Sequence, residues 1–314
     1  MSVQYDAAML LDSIRTVGAL TSVQIAGTDD TRLLKDVYEV IRENVVPHLL
    51  SVREEYLVRT LRMSLSPPTT RYRIPSRSIG NNLRDLWHVD SGGNRTDFAS
   101  KRIPRERLFM YNGDGGATPN GWFLEGNYIQ LVPVSGSYSG SLEMSYHLAP
   151  SLLVPVAEAG KISSVALSSK QVTLAATPPS SFVSGAKLDI HSPESGAEVK
   201  LLDLTQSGSV SGNTVTFTEA IDGTTFGTYA ASVGDYVCLA RECAIIQVPE
   251  DVVPMVINLV ALRHSVGDGD SSKSQMLAAK VTKAEQSSLH VLTNRVSGKP
   301  RRVRGYGQID GWRR

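Results

Sequence analysis

The stretch that most constrains this chain runs from Asp30 to Met63, TRLLKDVYEVIRENVVPHLLSVREEYLVRTLRM after its leading aspartate. Leu34, Tyr38, Ile41, Val45, Leu49, Val52 and Tyr56 recur three or four residues apart. That spacing sets them on one stripe of a helix and predicts the core of a helical bundle. Asp29 and Asp30 precede the first turn, where a carboxylate meets free N–H groups and the positive end of the dipole. Pro67-Pro68 ends the run. Pro47 lies inside it, lacks an N–H and predicts a kink near Glu43 or Asn44. A helix of this extent would be about 50 Å long. It reads either as a long core helix or as a shaft that separates two working ends or packs against other subunits.

Upstream, residues 6–20 place Met9, Leu10, Ile14 and Val17 on one face of a short helix ending near Gly18. That helix is expected to pack on the long one. After Pro68 the periodicity changes. Tyr72 and Ile74 alternate, LWHVD reads as a strand, and Ser91-Gly92-Gly93-Asn94 reads as a hairpin loop. Residues 95–111 read as a short strand and a helical turn, and residues 112–121 as a turn-rich loop. WFLEGNYIQLVPV reads as two strands joined at Gly126-Asn127, and SGSLEMSYHLAP as one more. Residues 157–247 form a second strand-rich stretch, high in Ser, Gly and Thr, which reads as a small sandwich or barrel.

Helix returns at Pro249, with Val253, Val256, Ile257, Val260 and Ala261 at helical spacing. Gly267-Asp268-Gly269 closes it, and Met276, Ala279, Lys283, Gln286, Leu289 and Leu292 predict the second arm of an αα-hairpin. The predicted class is therefore α+β. A long N-terminal helix and a C-terminal helical hairpin form a bundle, with two antiparallel β modules between them and an extended tail after them. The expected boundaries are 1–66 for the N-terminal helices, 67–156 and 157–247 for the two β modules, 248–296 for the hairpin and 297–314 for the tail.

Charge is balanced overall at +1 but unevenly placed. Residues 295–314 hold seven Lys and Arg against Asp310 alone, a net +6, which leaves −5 on the rest of the chain. The body is thus not built to coat nucleic acid or an anionic membrane. In the tail, Tyr306, Ile309 and Trp312 stand among Arg301, Arg302, Arg304 and Arg313. These residue types anchor interfaces, so the tail reads as a docking peptide, beside the alternatives of a solvated terminus and of contact with nucleic-acid phosphates. Cys238 and Cys243 do not form a CxxC pair and are expected to be reduced and buried in or beside a strand.

Familiar chemistry is not visible in the sequence. There is no phosphate-binding glycine loop, GxSxG or HExxH, and the six histidines are scattered, so no cofactor, metal or catalytic activity is expected. The Asn112–Gly116 loop lacks the alternating carboxylates of a calcium loop. Glu54-Glu55, flanked by Arg53 and Arg59, reads as a solvated helix face. No apolar run is long enough for a membrane span, and no signal-peptide pattern opens the chain.

VVPHLLSVREEYLVRTLRM, YRIPSRSIGNNLRDLWHVDSGG, GWFLEGNYIQLVP, the Pro249 helix ending in Gly267-Asp268, and NRVSGKPRRV follow one another in that order. In this the chain resembles the head-to-tail adaptor (connector, or head-completion) proteins of tailed bacteriophages. YRIPSRSIG followed by FLEGN is the most specific part of the resemblance. It implies a virion structural protein at the head–tail interface, assembled in the host cytoplasm. Such a protein forms a homo-oligomeric, usually dodecameric, head-to-tail ring on the portal ring. The resemblance further implies a C-terminal tail docked on the portal, a β region that meets the downstream tail or nozzle protein, and a channel through which genomic DNA passes without sequence-specific binding. The competing reading is a tail or receptor-binding structural protein that recognises host glycan through its β modules.

Overall fold

The structure is a computed structural model that describes residues 5–18, 29–52, 56–111, 118–133, 137–193, 199–223, 229–267 and 271–293. The fold is α+β. Helices α1 (Ala7–Gly18), α2 (Asp30–Val40), α3 (Val46–Val52), α4 (Val253–Gly267) and α5 (Ser271–Thr293) come from both ends of the sequence and share one core. Asp6 starts α1, its Oδ1 accepting the Met9 N–H at 2.8 Å. α4 is the central element. It packs against α1, α2 and α5, and Val253, Met255, Val256, Ile257, Val260 and Ala261 are all buried. A helix apolar on most of its circumference needs neighbours on most sides. α1 accordingly packs chiefly on α4 rather than on the long helix, with Leu10, Leu11 and Ile14 inward and Met9 exposed.

Between α2 and α3 the chain makes a π-helical turn, Ile41–Val45, in which the Val46 N–H bonds the Ile41 carbonyl. Pro47 supplies the reason. It has no N–H for the Glu43 carbonyl, so the ladder is disturbed where the sequence expects a kink, and it widens by one residue. The buried stripe runs Leu33, Leu34, Val37, Val40 and Ile41 before the widened turn and Val45, Val46 and Leu49 after it. Tyr38 is therefore a correction: it is half-buried on the flank, and Val37 takes the inward position. Val52 packs at the margin and Tyr56 is buried against the same core. Asp29 makes no side-chain cap, and the Asp30 carboxylate instead pairs with Arg15 of α1.

The helix to Met63 is overturned. The described helix reaches Val52, Leu57 turns left-handed at φ 60°, and Val58–Ser64 is a strand, β1. β1 pairs along its whole length with β7 (Ser141–His147), from Val58↔His147 to Ser64↔Ser141. Leu61 and Met63 then alternate onto apolar clusters of the β module. Seven residues of ladder and two partly buried side chains outweigh a helical periodicity that β-branched Val58 and Thr60 already weaken. The helical run Asp30–Val52 is thus about 35 Å long at ~1.5 Å per residue. The first β module begins at β1, not at residue 67.

That module has two sheets. One is ordered β1-β7-β3-β4, with β3 Asp85–Val89 and β4 Arg95–Asp97; the other is β2-β6-β5, with β2 Arg71–Arg73, β5 Gly121–Glu125 and β6 Tyr128–Val132. They enclose Tyr72, Ile74, Leu86, Phe98, Trp122, Ile129 and Leu142. Gly126, at φ 58°, takes the left-handed corner of the two-residue loop that joins β5 and β6.

The second module is a six-stranded antiparallel sheet ordered β12-β11-β14-β9-β10-β13. Its strands are β9 Gly160–Ala166, β10 Gln171–Leu174, β11 Lys187–His191, β12 Val199–Thr205, β13 Thr214–Thr216 and β14 Tyr236–Leu239. The two edges meet: Gln206 bridges Phe217, the Ser207 N–H bonds Thr216 and the Thr218 N–H bonds Thr205. A closed barrel results, which leaves no free edge there. Leu188, Ile190, Leu201, Leu204 and Val237 fill it. A short parallel pair, β8 (Leu152–Leu153) with β15 (Glu242–Cys243), ties both modules to the segment entering α4.

In the C-terminal hairpin the inward face of α5 is Leu277, Val281, Ser288 and Leu292. Met276, Ala279, Lys283 and Gln286 are exposed, so the expected face lies one to two positions off the buried one until Leu292. Both cysteines are free and buried, Cys238 on β14 and Cys243 on β15.

Candidate functional site

The sequence places its strongest binding expectation in the tail, on Arg301, Arg302, Arg304, Tyr306, Ile309, Trp312 and Arg313. These lie outside the described residues, as does the loop at 112–117. The bundle residues Leu34, Ile41, Val45, Leu49, Val256 and Val260 are brought together in one core. What the described chain adds is a polar junction between the modules and an exposed ledge on the first of them.

The junction is centred on Asp189 of β11, which alternation turns out of the barrel between inward Leu188 and Ile190. Its Oδ2 accepts from Arg77 Nη1 at 2.5 Å and from the Arg241 N–H at 2.9 Å, and its Oδ1 accepts the Asp203 N–H at 2.8 Å. Arg77 lies after β2 in the first module, so this ion pair crosses the boundary between modules with both side chains almost wholly buried. Arg77 Nη2 also donates to Ser151 Oγ at 2.9 Å. The Ser151 N–H donates to Gln247 Oε1 at 2.6 Å, which aims the amide nitrogen of Gln247 at His191 Nδ1, 3.1 Å away. That arrangement fixes a neutral His191 with its proton on Nε2.

Burial, followed by the charge of Arg77, pulls the His191 pKa down to about 3. Burial and then the negative charge of Asp189 push the Asp203 carboxyl up. Burial pushes the Cys243 thiol up to about 12 and raises Cys238 well above its ordinary value, so neither presents a thiolate near neutral pH. The junction pairs the Asp189 and Arg77 charges with each other across the modules and ties Asp189 to the backbone of Asp203 and Arg241. Apolar contact surrounds it, as Leu61, Tyr146 and Leu148 pack against Val199 and Leu202 on the outer wall of the barrel.

The ledge is the segment Lys101–Met110, on the path from β4 to β5. Arg102 bridges alongside Trp122, the Ile103 N–H donates to the Trp122 carbonyl at 2.7 Å, and Trp122 Nε1 donates to the Phe98 carbonyl at 2.7 Å. Gly121 makes this approach possible. A Cβ there would stand 2.5 Å from Ile103 Cδ1 and 2.6 Å from the Lys101 carbonyl oxygen. Ile103 is buried with Phe123 and Val132, and Leu108 packs on them. Beyond these anchors, in the 3₁₀ helix Arg105–Tyr111, Phe109 is 72% and Met110 66% exposed. Sequence reading assigned this segment only a helical turn. Its signal was Phe109-Met110 directly after the basic run Lys101, Arg102, Arg105 and Arg107.

Among the described residues, no group of three or more His, Cys, Asp and Glu is placed to hold a metal ion. No described helix is long and apolar enough to cross a membrane. No family model matches the chain and no curated protein matches it.

Proposed function

We propose that this protein is a virion structural protein of a tailed bacteriophage: a ring-forming head-to-tail adaptor that docks on the portal through its C-terminal tail. The observation that carries the reading is the bundle. Helices from both ends of the sequence share one core, and the basic, aromatic tail follows α5, the last helix of that core. The motifs through which the chain resembles such adaptors include the pieces that build this frame: the run through Pro47 with its π turn, the Tyr72–Gly93 segment that carries Arg77, and the helix α4.

In this reading the bundle is a rigid platform, the two locked β modules extend the channel and meet the downstream tail component, and the tail grips the portal. Identical weak grips add through effective concentration around a ring, so one tail need not bind tightly alone. Deleting residues 297–314 tests the docking role. The truncated chain is expected to remain folded by circular dichroism and to lose attachment to portal rings. Normal attachment of the truncated chain overturns the docking tail. Replacing Tyr306 and Trp312 with Ala is expected to weaken attachment at least tenfold.

A further inference from the structure

Three parts of the fold meet at His191, and the hydrogen bonds there run in one direction only. Ser151 belongs to the segment leaving the first β module, Gln247 to the segment entering α4, and His191 to β11 of the barrel. All three are buried. The Ser151 N–H is a backbone donor and cannot accept. It holds Gln247 Oε1 toward itself at 2.6 Å and so turns the amide NH2 toward His191 Nδ1, 3.1 Å away. Nδ1 must therefore be bare. A proton on it would face the amide NH2, and reversing the amide would set that NH2 against the Ser151 N–H. No orientation of Gln247 satisfies a charged His191, and a buried donor without an acceptor is costly. Arg77 adds a like charge beside the ring.

The barrel has its own core and closed edges. Its ties at this seam include the Arg77–Asp189 pair and the packing of Val199 and Leu202 on Leu61, Tyr146 and Leu148. Beside them runs the two-residue pair of β8 with β15. We propose that the Ser151–Gln247–His191 chain is an acid-sensitive latch: a proton on His191 Nδ1 releases the barrel from the first module and the bundle, while each keeps its own core. The proton enters the open form, in which the ring meets water. The closed ring titrates at about 3 and the open ring at its ordinary 6.5. The ratio of open to closed chains therefore rises as pH falls below about 6.5, by at most about tenfold per unit. The other charged and titratable groups on the surrounding elements are Arg77 and Arg59 of the first module, Asp189 on the same strand and Asp203 on β12. Tyr236 and Cys238 stand on β14, Arg241 on the turn after it, and Glu242 and Cys243 on β15. Asp203 and Glu242, pushed up chiefly by burial, take up protons in the closed form and so oppose the opening.

The latch stands apart from the adaptor reading and is tested without the portal. Hydrogen exchange of the full chain is followed at pH 7 and pH 5 and corrected for intrinsic rates. The reporters are the Leu152 and Val154 N–H groups, which bond the Arg241 and Cys243 carbonyls across the seam. The controls are the β9–β10 ladder of the barrel and the β1–β7 ladder of the first module. Wild type is expected to lose at least tenfold protection at the reporters between pH 7 and pH 5 while both controls keep theirs. H191N offers an amide oxygen near the Nδ1 position and does not titrate, so it is expected to show no such loss. Q247E supplies a carboxylate that accepts from both the Ser151 N–H and a protonated His191, so it is expected to hold the seam closed at pH 5. Reporters that stay protected in wild type, or controls that open together with them, overturn the latch. So does H191N opening as wild type does, or Q247E opening at least as readily as wild type.

Discussion

Asp189 is the residue on which the relative placement of the β modules turns. Its carboxylate holds Arg77 from the first module and the backbone of Asp203 and Arg241 from the second. Asp189→Ala leaves a buried guanidinium without its counter-charge and two part-buried N–H groups without an acceptor. The expected cost is about 3–5 kcal/mol, read as a fall in the denaturation midpoint. A loss under 1 kcal/mol would mean that solvent reaches the pair. His191 adds a pH dependence. Its pKa falls from 6.5 to about 3 on folding, so between these values the unfolded chain binds a proton that the folded chain refuses. Stability is then full above about 6.5 and falls as pH drops toward 3, by up to about 1.4 kcal/mol per unit. Asp203 and Glu242, raised chiefly by burial, act in the opposite sense, and Glu219, lowered by its Thr205 hydrogen bonds against the pull of burial, acts in the same sense at lower pH. Comparing melting temperatures of wild type and H191Q from pH 7 to 5 isolates the histidine: the acid slope is expected to flatten in the variant, and equal slopes would contradict the burial argument.

At the scale of the element, the π turn converts a missing hydrogen bond into a rotation of the buried stripe. Val37 and Tyr38 are sequence neighbours with different fates, one fully buried and the other on the flank. Val37→Ala is expected to cost about 1–3 kcal/mol and Tyr38→Ala under about 1 kcal/mol by denaturant titration. The reverse order would mean that the bundle packs one residue out of register. The same contrast shows how far the sequence could be read. Helix existence, the disturbance at Pro47, the hairpin at Gly126-Asn127 and the α+β class all follow from local spacing and turn chemistry. The strand at Val58–Ser64 does not, because its identity is decided by β7, more than seventy residues away. The barrel closure at Gln206 and Phe217, the Arg77–Asp189 lock and the anchored ledge are likewise long-range pairings that no local pattern encodes. On α1 the expected face holds at Leu10, Ile14 and Val17 and fails only at Met9, whereas the face expected for α5 is rotated, because amphipathic periodicity tolerates such a rotation and core packing does not.

At the scale of the molecule, one frame serves three tasks. The bundle joins helices from both ends of the sequence, the buried junction holds the barrel against the first module, and the ledge offers a cationic, apolar surface. An assembly built from many copies gains from such stiffness, since ordering costs are met once on folding rather than again at every contact. The adaptor proposal stands on this frame together with the basic tail that follows it. The most direct test is sedimentation of the purified chain alone and mixed with portal rings, the partner that the proposal names. Co-sedimentation at a fixed, ring-like stoichiometry is the expected result. A chain that ignores the portal at every ratio would contradict the adaptor reading and shift attention to glycan recognition by the β modules.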